Sequence, residues 1–138
     1  MNVRTSTIEF RAQGNCDVVD ITTRVADCIR SAEVQNGIVV IFVPGSTGGL
    51  TTVEYEPGLV KDLKEAFQRI APQGPRYHHD DRWQDGNGHA HVRASLVGPS
   101  LAIPIVNGRM SLGTWQQVVF VDFDTRARLR ELVVQMVE

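Results

Sequence analysis

Between Gly37 and Pro44 the chain reads Ile-Val-Val-Ile-Phe-Val, with no polar interruption. A run this short, rich in β-branched residues and closed by Gly and Pro, predicts a strand at the centre of a sheet, buried on both faces. Such a strand needs partners on either side. Val3 to Phe10 alternates and suits a half-solvated strand, and Cys16 to Ile21 follows the turn signal Gly14-Asn15 as a short strand leading into a helix. That helix has Thr22 or Thr23 as its N-cap, a buried stripe of Ile21, Val25, Cys28, Ile29 and Ala32, and Asn36-Gly37 as its end. Thr51 to Tyr55 alternates again. Pro57 then opens a second helix whose apolar stripe is Leu59, Val60, Leu63, Phe67 and Ile70.

From Pro72 to Gly88 no period is visible, and the segment reads as a long functional loop. Strands are expected at His89–Val97 and Leu101–Val106, then a hairpin at Asn107-Gly108 with a return strand over Arg109–Asp122. Arg128–Val137 is a last strand or a short helix, its period unsettled. The order β, β, α, β, β, α followed by a block of strands excludes a doubly wound fold. It predicts an α+β protein, a largely antiparallel sheet with two helices, folded as a single compact domain over residues 1–138.

Composition narrows the function classes. Lys plus Arg number 14 against 16 Asp plus Glu, a net charge of -2 that argues against a nucleic-acid partner, since displacing counterions needs surplus cations. No apolar run is long enough to span a membrane, and Met1–Arg11 lacks the apolar stretch of a signal peptide. Cys16 and Cys28 then read as reduced thiols of a cytoplasmic protein.

All four histidines lie between positions 78 and 91. Read as the mouth of a strand, His89 and His91 share one face, and the loop can bend His79 back to them. Three imidazoles are the usual way to hold Zn²⁺ with one coordination position open, and this ligand type favours Zn²⁺ over Mg²⁺. Glu54 or Asp80 can supply a carboxylate or orient a ring, while His78 stays outside the set. The alternative is that the histidines only cap the loop through backbone hydrogen bonds. Asp80, Asp81 and Asp85 with Asn87 form an acidic patch beside them, without the spacing of an EF-hand. Gly45-Ser-Thr-Gly-Gly-Leu-Thr-Thr52 offers glycines and hydroxyls to an anion, Ser46 and Thr47 above all, although a plain hairpin connection explains it as well. Arg93 follows His89 and His91 by the same two-residue step and can place a cation beside the metal, or be a solvated surface arginine. Trp83 and Trp115 read as core, or else as pocket walls.

Tyr77-His-His-Asp80, Asp85-Gly-Asn-Gly-His-Ala-His91, Gly98-Pro-Ser100 and Leu112-Gly-Thr-Trp-Gln116 together closely resemble the YjbQ-like family. The resemblance extends through Thr51-Thr-Val-Glu54 and the tail Asp122–Arg128. Gly48-Gly49 departs from the bulkier residues of relatives, which implies a looser loop. The resemblance implies an α+β domain assembled as a homotrimer, and an activity like that of the secondary thiamine-phosphate synthase for which the family is named. That reaction joins a pyrimidine diphosphate to a thiazole phosphate and expels pyrophosphate. It also implies that His79, His89, His91, Asn87 and Glu54 matter. On this reading Glu54, Asp80 and Asn87 serve catalysis, while Ser46, Thr47, Thr52, Arg93, Thr114 and Gln116 bind a phosphorylated small molecule. A metal-dependent hydrolase and a non-enzymatic trimer that binds a metal or anion remain the alternatives.

Overall fold

The computed structural model describes residues 1–138. The elements in chain order are β1 (Val3–Ala12), β2 (Asp17–Asp20), α1 (Thr22–Ala32), β3 (Gly37–Phe42), β4 (Gly48–Val53), α2 (Pro57–Ile70), α3 (His78–Trp83), α4 (Gly88–Val97), β5 (Ser100–Val106), β6 (Arg109–Met110), β7 (Gln117–Asp122) and β8 (Arg128–Val137). Every strand pairing is antiparallel. One sheet runs β1-β8-β3-β5-β6 and a second runs β2-β7-β4. The α+β expectation holds, with four helices rather than two. The C-terminal segment is a strand: Arg130, Leu132, Val134 and Met136 alternate inward against β1 and β3.

The layers explain which strand is central. Val39, Ile41 and Val43 of the expected central run face the main core, joined by Ile8, Phe10, Leu132 and Met136. The opposite face of β3 is open, with Ile38 50% and Phe42 41% exposed, so β3 is buried on one side only. The strand buried on both faces is β7. Val118 and Phe120 enter the main core with α1, while Val119 and Val121 join Cys16, Val18, Ala90, Ala94 and Phe123 in a second core under α2 and α4. Both cores come from one alternating strand, since successive side chains point to opposite faces.

Several local expectations are corrected. His89–Val97 is not a strand but α4, because Ala90, Arg93, Ala94 and Val97 fall at the spacing of one helical face and pack on the small sheet. The segment 72–88 contains α3. Thr22 begins α1 without capping it; Asp20 Oδ1 instead accepts from the Thr22 amide and hydroxyl. The helix ends at Glu33 in the left-handed conformation, ahead of Asn36-Gly37. The Asn107-Gly108 hairpin forms with both residues at positive φ, but only Arg109–Met110 returns along β5, and β7 belongs to the other sheet. Gly48 and Gly49 are strand residues rather than loop. A Cβ at Gly49 would come within 2.6 Å of Val97, so the glycine permits close docking of α4 and does not loosen the segment. Trp83 and Trp115 are exposed, not core.

Candidate functional site

The C-terminal ends of β3 and β7 meet the N-terminal ends of β4, β8 and α4 at one edge of the molecule. Here the chain turns polar. Asp122 is fully buried and receives a two-pronged contact from Arg130, Nε to Oδ2 and Nη2 to Oδ1, both at 2.7 Å. Such a fork matches guanidinium to carboxylate geometry and fixes both side chains. Arg130 Nη2 also donates to the Thr47 hydroxyl at 2.9 Å, and that hydroxyl donates to Asp124 Oδ2 at 3.1 Å. Asn87 Nδ2 donates to Asp124 Oδ1, and the Asn87 carbonyl oxygen accepts from the Thr125 amide. Arg128 Nε lies 2.9 Å from Asp124 Oδ2. Burial alone would raise the Asp124 carboxyl, but the Arg126 amide, Asn87, Thr47 and the Arg128 charge outweigh it and hold the group below its ordinary range.

Above this network lies a cavity of about 320 Å³, lined mostly by polar and charged side chains, among them Ser46, Asp85, His91, Arg128 and Arg130. Gly45, Ser46 and His91 also line an adjoining cavity of about 270 Å³ along α4, so the two form one groove.

The histidines arrive from two helices. His79 of α3 and His91 of α4 stand with ring centroids 4.3 Å apart. Burial, and then the neighbouring His79, push His91 below the ordinary imidazole range, which favours the neutral ring. His89 is only two positions away on the same helix and therefore points elsewhere; it is 2% exposed and lowered by burial and then by Arg93. The expected set of His79, His89 and His91 is thus not gathered. The ligand atoms that do converge, within 4.8 Å of one another, belong to His79, Asp80 and Asp85. The His79 Nδ1 atom is sealed from solvent and has no hydrogen-bond partner. It lies 3.7 Å from Asp80 Oδ1 and 3.6 Å from Asp85 Oδ1, too far for a hydrogen bond and close to the spacing of two ligands around one cation. One imidazole with two carboxylates fits a divalent ion, and this harder set suits Mn²⁺ or Mg²⁺ as well as Zn²⁺.

Other expected site residues lie elsewhere or have structural partners. Arg93 is buried: its Nε donates to the Ala71 carbonyl and its Nη2 to Gln68, tying α4 to α2 beneath the groove. The Thr47 hydroxyl is committed to Arg130 and Asp124. Glu54, Thr52, Thr114 and Gln116 sit at the far end of β4 and β7, roughly 20 Å away along a six-residue strand. There Gln116 donates to the Thr52 hydroxyl and accepts from the Gly113 amide. Asp122, Asp124, Arg128 and Arg130 were missed from sequence. Their signal was the doublet Asp-x-Asp before Arg-x-Arg, opposite charges at one spacing across a strand turn.

The comparisons agree with this architecture. The family model described as UPF0047 protein YjbQ-like matches residues 6–138. A UPF0047 protein of Archaeoglobus fulgidus is 36% identical over 119 residues, covering 86% of this chain and 90% of that one. The UPF0047 protein YugU of Bacillus subtilis is 33% identical over 119 residues, covering 86% and 88%. The crystal structure of a hypothetical protein of Aeropyrum pernix superposes with a TM-score of 0.90 at 31% identity, covering 97% of this chain and 98% of that one. By family model, relatives and fold alike, the chain belongs to the YjbQ-like UPF0047 family.

Proposed function

We propose that this protein is an enzyme that acts on a phosphorylated small molecule with a divalent cation, its specific reaction being the thiamine-phosphate synthesis that the motif resemblance implies. One observation carries the reading: Asp85 belongs both to the His79–Asp80–Asp85 group and to the wall of the mostly polar cavity. An ion held by that group therefore faces whatever fills the cavity. In the synthase reaction the leaving pyrophosphate takes the electron pair of the broken bond, and positive charge fixed in advance stabilises it. The cation supplies such charge when bound. His91 at the cavity wall, its imidazole lowered by burial and by His79, offers a ring nitrogen to accept a hydrogen bond from the substrate, and Asn87 keeps Asp124 and the 125 backbone in place beneath it. Glu54 lies outside this chemistry.

The test is formation of thiamine phosphate from the two precursors with Mn²⁺ or Mg²⁺ added. Asp85→Asn and His79→Ala are expected to lower turnover about a hundredfold or more, in line with the loss of one charge-stabilising group. Unchanged turnover in both variants overturns the assignment. Hydrolysis of phosphate esters without condensation supports the hydrolase instead, and metal binding without any turnover supports a binding protein. We further propose that the chain works as a homotrimer, supported by the apolar open face of the five-stranded sheet.

A further inference from the structure

Three features of the Pro44–Thr47 loop and its surroundings point to a ligand. The amides of Gly45, Ser46 and Thr47 have no acceptor in the chain; Gly45 and Ser46 are exposed on the cavity wall, and Thr47 is buried, its own carbonyl accepting from the Phe123 amide. Arg130 has its side chain nine-tenths buried and uses Nε and Nη2 on Asp122 and Thr47. Its Nη1 donates to nothing and lies beside Gly45, where a Cβ would sit 3.6 Å from it. Arg128 approaches Asp124 through Nε and leaves both terminal nitrogens free on the wall of the same cavity.

Amides left without an acceptor in one turn are available to an anion in the cavity they border, and guanidinium groups match phosphoryl oxygens. The carboxylates beneath do not compete: the oxygens of Asp122 and Asp124 are already bonded by Arg130, Thr47, Asn87 and backbone amides. We infer that the Gly45–Thr47 backbone, Arg128 and Arg130 Nη1 form the seat of one phosphoryl dianion, across the cavity from the His79–Asp80–Asp85 group. The seat uses the amide groups of the loop rather than its hydroxyls, and takes its arginines from β8 rather than α4.

This assignment rests on the reading above for the identity of the substrate but is tested without it. Inorganic phosphate is titrated into the uniformly ¹⁵N-labelled protein with chelator present, so that no cation contributes. The Gly45, Ser46 and Thr47 amide resonances are expected to move together on saturation. Arg128→Ala is expected to weaken the affinity at least tenfold, and Arg109→Ala, on distant β6, to leave it unchanged. A titration that moves none of the three amides overturns the seat, as does equal weakening by Arg128→Ala and Arg109→Ala. Loss of synthase turnover with phosphate binding intact would instead count against the proposed reaction.

Discussion

At the residue scale, Asp124 concentrates the acid sensitivity of the site. It is fully buried and its carboxyl is held below the ordinary range despite that burial. A carboxyl lowered on folding contributes stability above its unfolded value of about 3.9 and loses that contribution as pH falls through the lowered folded value. Unfolding free energy should therefore decline with acid from about pH 4 downward, and Asp124→Asn should flatten that decline while lowering stability at neutral pH. Urea titrations at several pH values measure this; parallel curves for the two proteins would refute it. The same residue shows what the sequence hides. Asp122 and Asp124 stand two apart across the end of β7, and Arg128 and Arg130 two apart at the start of β8, a spacing at which charge normally marks a solvent face. Only the turn between β7 and β8 brings the doublets together, and a turn geometry is not written in the alternation.

At the element scale, α4 decides which histidines meet. His-Ala-His reads as a two-residue period, yet the segment is a helix because small residues recur at 90 and 94 and the buried Arg93 interrupts the apolar stripe that would have announced it. A polar residue on the buried face is the physical reason the period was legible only for α1 and α2. The element also depends on Gly49. Its missing Cβ lets β4 approach Val97, and added volume in a packed interior forces backbone shifts worth about 1–3 kcal/mol. Gly49→Ala should lower the melting temperature and, by displacing α4, separate the His79 and His91 rings. Calorimetry checks the stability, and imidazole NMR signals check the pair. An unaltered melting temperature would show that Val97 yields at no cost.

At the scale of the whole molecule, the five-stranded sheet keeps one face without a layer over it. The α+β class was readable because alternation and turn signals are local, whereas the order of strands in two sheets and the burial of β3 on its second face depend on what packs there. Ile38 and Phe42 of β3, Val106 of β5 and Leu129 of β8 are exposed on that side, with Val40 and Val133 half-buried among them. Register places Phe42 opposite Val133 and Ile38 opposite Val137 on β8, so these residues form an apolar patch, from which Glu131 separates Leu129. No helix of the chain is long and apolar enough to cross a membrane, so a bilayer-spanning helix does not account for the patch. Contiguous exposed apolar surface marks a contact with another protein, and the homotrimer proposed above would cover it by closed symmetry. Phe42→Glu buries a charge in such a contact but leaves the folded monomer's core untouched. Sedimentation equilibrium at micromolar concentration should therefore show a trimer for the wild type and a shift toward monomer for the variant, with circular dichroism unchanged. A wild type that sediments as a monomer removes the trimer, and a variant that stays trimeric moves the contact to another face.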